Sequence, residues 1–492
     1  MSSEADVQGD ESREIPTLLE PAGYGSSSCG YCSPPGERSS SSTSKSYGMI
    51  APQMSPRVYQ QLIDRGWRRS GDYVYHPDNA NTCCPQLTIR LDAMAFKPEK
   101  DRKLRQILNR WKRFVMEGNE KEKETEEKVG LPRSTVGATR AFGGEDGKKG
   151  REKIEIDEPK EADPTTSASG PTENSSQKRI REYPDLTSGP TIEGRKRQKG
   201  NQKPNNQNNK NKNKPFDFPE ELHAPEWING GPAAAHQFEI RLVKAEATPE
   251  TFALYDKYQQ AVHGDKPGKN TMSSFKRFLC KNPLGWQKMK YPEGQDVPAH
   301  LPTHYGGYHQ LWMVDDKLVA FSVIDILPGC VSSVYFVWDP DYAWASLGKL
   351  SALREAALAR EMQQAGIDGA GWLYMGFYIH SCQKMRYKGE YSPSQLLDPG
   401  TNTWHALENV KGLLDSHPTG YHPFDGSVNE AYVSRNSSTT SSVGTKGSDA
   451  WPKPPPPGFR EPQTVSKETL RNLAVFLGDQ LVLLKSRRSE RT

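Results

Sequence analysis

Apolar positions recur every three to four residues along residues 100–116, where Leu104, Ile107, Leu108, Trp111, Phe114 and Val115 define one helical face. Arg102, Lys103, Arg105, Arg110, Lys112 and Arg113 occupy or border the other face. Residues 56–66 predict a shorter helix closed by Gly66, and residues 73–75 and 87–91 have strand length and strand composition. The pattern resumes after residue 235. Residues 236–245 read as a strand, 249–263 and 273–280 as helices, and 309–314, 318–327 and 331–338 as three successive strands. A long helix is predicted over 346–365, with Leu347, Leu350, Leu353, Ala357 and Leu358 largely inward, and a strand over 372–379 follows it. Helices and strands mixed in this order predict an α/β chain of the α+β kind.

Elsewhere the periodicity fails. Residues 118–214 hold almost no aromatic or branched apolar side chains, and they include the run Glu120-Lys-Glu-Lys-Glu-Thr-Glu-Glu-Lys128 and an Asn/Lys tract. Such a segment buries too little apolar area to offset its ordering entropy. Only 34% of the 492 residues are hydrophobic, and the mean hydropathy is −0.82. These breaks divide the chain into a disordered tail at 1–23, a cysteine-containing basic domain at 24–117 and a disordered charged linker at 118–214. A larger domain at 215–433, a Ser/Pro-rich linker at 434–463 and an amphipathic helix within 464–492 complete this bilobed plan. The last helix rests on Leu470, Leu473, Leu477, Leu481 and Leu484, and docks on the chain's own body or on a partner.

Charge sharpens the division. The net charge is only +4, but residues 24–116 carry fifteen Lys and Arg against seven Asp and Glu, which suggests an anionic partner for the first domain. The basic face over 100–116 suits an RNA backbone, against the plainer reading of a solvated helix exterior. Asp325 and Pro328-Gly329 interrupt the one long apolar span, residues 317–338, so no membrane partner is expected. With no basic start leading into an apolar stretch, the chain reads as cytoplasmic. Basic clusters at 178–181 and 195–199 offer a nuclear import signal or, more simply, solvated charge. Seven cysteines, an odd number, argue for thiols or metal ligands over a disulfide framework. Cys29 and Cys32 in a CxxC, with Cys83 and Cys84 some fifty residues on, have the ligand types of a sulfur-rich metal site; buried or reactive thiols are the alternative.

The densest chemistry follows a strand. In Tyr374-Met-Gly-Phe-Tyr-Ile-His-Ser-Cys-Gln-Lys-Met-Arg-Tyr-Lys-Gly-Glu-Tyr391, an apolar run exits into His380, Cys382, Lys384, Arg386, Tyr387 and Lys388. A rigid strand can place such groups against a substrate without further ordering cost; a merely solvated strand exit is the bland alternative. Lys384, Arg386 and Lys388, interleaved with tyrosines, offer charge beside stacking faces. Arg68 and Arg69, on a turn, could fork onto phosphate or carboxylate. Cys382 lacks an evident activating dyad and reads as structural.

This run resembles the signature of the arginyl-tRNA–protein transferase family. So do Ser322-Val-Ile-Asp-Ile-Leu-Pro-Gly-Cys-Val-Ser-Ser-Val-Tyr335, Ser346-Leu-Gly-Lys-Leu-Ser-Ala-Leu-Arg-Glu355, Cys29-Gly-Tyr-Cys32, Asp64-Arg-Gly-Trp-Arg-Arg-Ser-Gly-Asp-Tyr-Val-Tyr75 and Asn81-Thr-Cys-Cys-Pro85, in order. The resemblance spans residues 24–115 and 216–410 and implies a GNAT-like acyltransferase domain. It implies that Cys29, Cys32, Cys83 and Cys84 hold an iron–sulfur cluster or zinc. It further implies arginyl-tRNA as donor, proteins with N-terminal Asp or Glu as acceptors, and ubiquitin-dependent degradation of the products. Only Ser346-Leu-Gly-Lys349 stands where acetyltransferases carry a glycine-rich phosphate cradle, so coenzyme A is not expected; nor is DNA. Gln383 departs from the proline often found in the Ser-Cys-Pro-Lys-Met form, which frees φ there.

Moving an aminoacyl group from an ester to an amino terminus needs a neutral amine, and an α-ammonium has a pKa near 8. Positioning should therefore dominate, with about 7–11 kcal/mol available from alignment, against about 10²–10⁴-fold from a general base. The reading expects one proton acceptor and no covalent nucleophile. Asp325 and His380 are the candidate acceptors, each with a structural alternative. Tyr335, Ser332 and Ser333 are candidate donors to substrate or oxyanion, and Tyr258 and His263 are candidate cleft residues from a matching segment. A leucyl-type transferase and a non-catalytic RNA or N-terminus binding module are the rival readings.

Overall fold

The computed structural model describes residues 15–32, 37–118, 216–226, 234–294, 296–426 and, for backbone alone, 481–483. The linker expected at 118–214 and the one at 434–463 fall outside these residues, apart from Gly118. The described residues all belong to one compact unit.

In chain order the elements of the first half are β1 (Thr17–Ser27), β2 (Ser44–Gln53), α1 (Pro56–Ile63), β3 (Arg68–Ser70), β4 (Tyr73–Pro77), β5 (Leu87–Asp92) and α2 (Arg102–Glu117). Next come α3 (Phe218–His223), β6 (Phe238–Lys244), α4 (Pro249–His263), α5 (Met272–Phe275), β7 (Gln287–Lys288), β8 (His304–Val314), β9 (Lys317–Leu327) and β10 (Cys330–Trp338). The chain continues with α6 (Leu347–Gln364), β11 (Trp372–Tyr378), α7 (Gln383–Arg386), β12 (Ser394–Leu397), β13 (Trp404–Ala406), α8 (Leu407–Ser416) and β14 (Leu481–Leu483). One sheet has the order β14-β1-β2-β4-β3, and the other the order β13-β12-β5-β11-β10-β9-β8-β6, with β7 on β8.

The α+β class appears as two sheets within this one unit, with a large apolar core and a smaller one. The cut between the halves is not clean, because β5 pairs with β11 on one side and β12 on the other. The smaller core likewise mixes Leu19, Met49, Tyr59 and Trp67 with Leu327, Cys330 and Tyr374 from beyond residue 300. Helix α2 behaves as its periodicity requires. Asp101 caps its start through Lys103 N and Leu104 N, Gly118 closes it with φ +67°, and its six apolar residues are buried. That burial contributes about 1.5–3 kcal/mol per side chain before entropy.

Three sequence readings need correction. The tail ends before Thr17, since β1 pairs along β2 and buries Leu19; its prolines, glycines and serines hide that ladder. Residues 273–280 are not one α-helix, for the short α5 widens into a π-helical turn, Lys276–Cys280. At 481–483 the backbone is a strand parallel to β1 rather than a helix, and the remainder of 464–492 lies outside the described residues.

One ion pair ties the sheets together. Arg69 on β3 donates from Nε to Asp325 Oδ2 (2.8 Å) and from Nη2 to Oδ1 (2.5 Å), and Asn282 Nδ2 donates to Oδ1 at 3.0 Å. Asp325, on β9, is 0% exposed. Breaking one side leaves a buried charge unpaired, so Asp325→Asn or Arg69→Met should lose about 3–5 kcal/mol of stability. The apolar double replacement Arg69→Met/Asp325→Leu should recover most of it. Urea unfolding measures both, and additive losses in the double variant would refute the pairing.

Candidate active site

Strands β10 and β11 run parallel but pair at only two positions, Val331 with Leu373 and Ser332 with Tyr374. Beyond these rungs both strands break register on their outer sides. β10 bulges against β9 between Ser333 and Tyr335, and β11 shifts against β5 between Tyr374 and Phe377. Gly376 makes the second distortion possible, with φ +71°, where a side chain would be strained. The strands therefore splay into a wedge. A pocket of about 460 Å³, open solvent at its mouth included, occupies it. Tyr59, Arg68, Arg69, Ser70 and Tyr75 line it from the first half of the chain, and Phe278, Ser332, Ser333, Val334, Tyr335, Gly376 and Phe377 from the second.

Five of the site residues expected from sequence meet here: Arg68, Arg69, Ser332, Ser333 and Tyr335. Arg69 is committed to Asp325. Burial opposes its charge, but the adjoining carboxylate outweighs that and raises its pKa. Arg68 is the contrasting case. It is 6% exposed; it donates to Trp67 O (2.7 Å) and Gly376 O (3.3 Å), and its guanidinium lies 5.3 Å from the Phe377 ring centroid. Among the described residues no carboxylate pairs with it, and its buried Nε has no partner. Tyr335 accepts a hydrogen bond at its hydroxyl from Gln259 Nε2 at 2.7 Å.

The remaining expected residues lie elsewhere or play other parts. With Oδ1 engaged by Arg69 and Asn282 and Oδ2 by Arg69, Asp325 holds structure, and it does not line the pocket. His380 does not line the pocket. Its Nε2 faces Asp415 Oδ1 at 2.9 Å and its Nδ1 faces the Tyr378 hydroxyl at 2.7 Å, which fixes Nε2–H as donor and Nδ1 as acceptor in the neutral ring. Burial lowers its pKa against the pull of Asp415, so the neutral ring is favoured. Tyr258 is core, fully buried and edge-on to Trp338, while His263 is exposed at the end of α4. Lys384 is half-buried and Arg386 exposed on α7. Lys388 is buried behind β11, where Nζ donates to Phe377 O at 2.8 Å; desolvation first, then nearby Arg68, pull its pKa down to about 7. Tyr387, half-buried beside it, has its pKa raised by burial.

On α2, Arg110 donates to Trp344 O and Lys112 to Glu221, so these two basic groups serve packing. Arg102, Lys103, Arg105 and Arg113 are exposed.

Next to the wedge, the Sγ atoms of Cys29, Cys32, Cys83 and Cys84 lie within 4.8 Å of one another. Cys32 and Cys83 are 3.7 Å apart, close to the ~3.8 Å between two thiolates on one tetrahedral ion with Zn–S near 2.3 Å. The four therefore form a set able to bind a metal. Cys84 hydrogen-bonding to Cys29 holds the Cys29 thiol down to about 5, while Cys84 itself is pushed up. Ser381 Oγ donates to Cys84 Sγ at 3.5 Å. Phe377 and Tyr75 belong both to the apolar shell of these thiols and to the pocket wall. A second cluster, His223, His300 and Glu361, is an ion-pair network instead. Both ring nitrogens of His223 are engaged, by Glu226 (2.7 Å) and Glu361 (2.9 Å), and these acids overcome burial to raise its pKa to about 9.

Gln259 and Phe278 fall in the segments 257–263 and 274–280 that the family resemblance pointed to as cleft-lining. Sequence reasoning did not single out Asn282, Gly376 or Glu355, of which Glu355 carried a signal as an acid on the inward stripe of α6 between Ser351 and Leu358.

A parted pair of parallel strands lined by serine and tyrosine residues, with a buried guanidinium beside them, forms the candidate cleft. Comparison with known proteins makes this specific. Residues 27–104 match the family described as "Arginine-tRNA-protein transferase, N terminus" and residues 250–398 the one described as "Arginine-tRNA-protein transferase, C terminus". The chain is 34% identical over 438 residues to arginyl-tRNA–protein transferase 1 of Drosophila melanogaster, covering 80% of this chain and 84% of the relative. It is 32% identical over 499 residues to arginyl-tRNA–protein transferase 1 of Arabidopsis thaliana, covering 83% and 76%. A shorter match, 32% over 148 residues, covers 30% of this chain and 52% of an aspartate/glutamate leucyltransferase of Campylobacter jejuni. The chain belongs to the arginine-tRNA-protein transferase family.

The thiol set generates one expectation. Purified protein should carry metal by elemental analysis, and Cys83→Ser should lower both metal content and melting temperature. Unchanged metal in the variant would detach these thiols from metal binding.

Proposed function

We propose that this chain transfers arginine from arginyl-tRNA to the α-amino group of proteins that begin with Asp or Glu, which marks them for ubiquitin-dependent degradation. The observation that carries the acidic specificity is Arg68, a buried guanidinium without a carboxylate partner in the pocket wall. An unpaired buried cation is costly, and the side-chain carboxylate of an acceptor's first residue would complete it through a charge-assisted fork. The name of the Campylobacter relative pairs the same two acidic residues with a transferase.

The chemistry is aminolysis of an ester. The acceptor's neutral α-amine attacks the aminoacyl carbonyl carbon, and the terminal ribose oxygen of the tRNA leaves. Ser332, Ser333 and Tyr335 face the space where carbonyl charge develops, and Gln259 fixes the Tyr335 hydroxyl. Exposed Arg386 at the exit of β11 and Arg102, Lys103 and Arg105 on α2 supply cationic contacts for the tRNA backbone. We read Cys29, Cys32, Cys83 and Cys84 as holding one zinc ion, since a multinuclear cluster would interpose several atoms and spread the thiolates further apart. Bound there, a metal would tie the segment after β1 to the segment after β4, within an apolar shell that includes Phe377 and Ile379.

Labelled arginine should pass from charged tRNA to peptides beginning with Asp or Glu and not to one beginning with Ala. Arg68→Lys should lower kcat/KM for the acidic peptides by about 10–100-fold, the worth of a charged hydrogen-bond pair. Equal transfer to the Ala peptide would refute the acidic specificity. Preference for leucyl-tRNA as donor would favour the leucyl-type reading instead.

A further inference from the structure

Helix α6 packs behind β10 and presents Glu355 to it. This acid is 1% exposed, and its Oε1 has no hydrogen-bond partner among the described residues. The hydroxyls of Ser333 on β10 and Ser322 on β9 stand close to it, and Ser322 Oγ has no hydrogen-bond partner among the described residues. Tyr387 and Tyr391 approach from the segment after α7, and the buried Tyr391 hydroxyl is also unpartnered. Interiors rarely leave such groups unsatisfied, and where they do, a functional reason is the first to examine. The adjoining Arg354 is turned aside to Glu226 and brings no charge to Glu355. Of these neighbours only Ser333 also lines the pocket. Its hydroxyl therefore stands between the reacting space and a carboxyl hidden from water.

We infer that Glu355 is the proton reservoir of the transfer reaction, reached through the Ser333 hydroxyl. The inference rests on the aminolysis reading above. As the amine nitrogen forms its bond to the carbonyl carbon, its proton passes to Ser333 Oγ while the Ser333 proton passes to the Glu355 carboxylate. When the carbon–oxygen bond of the ester breaks, the relay reverses and the ribose oxygen takes the proton. Glu355 ends ionised as it began, and nothing is oxidised or reduced. Glu355 acts through Ser333 and is a positioning residue; Ser333 is the group that meets substrate. Burial holds the Glu355 carboxyl up at about 7, near the α-ammonium value of about 8 between which a proton must move in both directions. The rival acceptors are spoken for: Asp325 by Arg69 and Asn282, and His380 Nδ1 by Tyr378.

The test is single-turnover arginine transfer to an Asp peptide between pH 5.5 and 9, with wild type, Glu355→Gln, Ser333→Ala and the double variant. In wild type, log rate should fall with a slope of about 2 below pH ~7, because amine and reservoir must both be deprotonated. Glu355→Gln and Ser333→Ala should each leave a slope of about 1 and lose about 10²-fold in rate with peptide KM little changed. The double variant should be no worse than either single. A slope of 2 retained in Glu355→Gln, or losses that multiply in the double variant, would overturn the relay. A second readout needs no turnover. A carboxyl kept protonated in the folded state adds stability that is full below its unfolded pKa of about 4.5 and is lost as pH rises through about 7. Thermal unfolding of wild type should lose stability across that window, and Glu355→Gln should not; an identical pH dependence counts against the buried acid. Absence of transfer by wild type at every pH would sink the transferase reading, whereas the unfolding comparison would still report on Glu355.

Discussion

The buried contact between Arg69 and Asp325 sets the geometry on which the cleft depends. Strand β3 is only three residues long and pairs with β4 alone, too little backbone to hold a functional side chain in register. The forked bond from Arg69 to β9 anchors it to the larger sheet instead. Successive strand residues face opposite sides, so with Arg69 fixed toward Asp325, Arg68 turns toward Gly376 and the pocket. Gly307 keeps this contact possible, because a side chain there would collide with Asn282 and crowd Asp325 Oδ1. A salt bridge of this kind need not add net stability. Its effect is to make one relative placement of the two sheets far better than any other.

Long periodic runs were legible in the sequence. Helices α2 and α6 and strands β9 and β10 lie within a few residues of where apolar spacing puts them. What the chain could not reveal is pairing across hundreds of residues. Residues 87–91 read correctly as a strand, yet nothing local says that the strand fits between β11 and β12. The strand β1 was hidden because Pro21, Gly23 and Gly25 carry no β signal, and its order comes from β2.

The site was legible in the same uneven way. Residue type and motif led to Arg68, Arg69, Ser332, Ser333 and Tyr335, which do converge. Chemical reputation misled at Asp325 and His380, whose roles are decided by partners far along the chain, Arg69 in one case and Asp415 in the other. Lys388 shows the limit from another side. Within a basic run it looks like a surface charge for a nucleic acid, but burial and Arg68 favour its neutral form near pH 7.

Around the wedge the fold keeps several polar groups that a stability-optimised interior would pair or replace. Among the described residues Arg68 has no carboxylate partner, Lys388 lies near it with a weakened hold on its proton, and Glu355, close to Ser333 but outside the pocket lining, has an oxygen unmet. On the proposed reading, the acceptor brings its acidic side chain to Arg68 and its proton to Ser333. Water cannot serve either need as well, because it must reorient as charge develops, whereas groups fixed on strands and a long helix are already in place. The destabilisation carried by the free fold is thus differential binding held in reserve, released when the charges that complete the pocket arrive with the reacting atoms. On that reading the cleft selects the amino terminus and its first side chain together, since neither alone meets both Arg68 and Ser333.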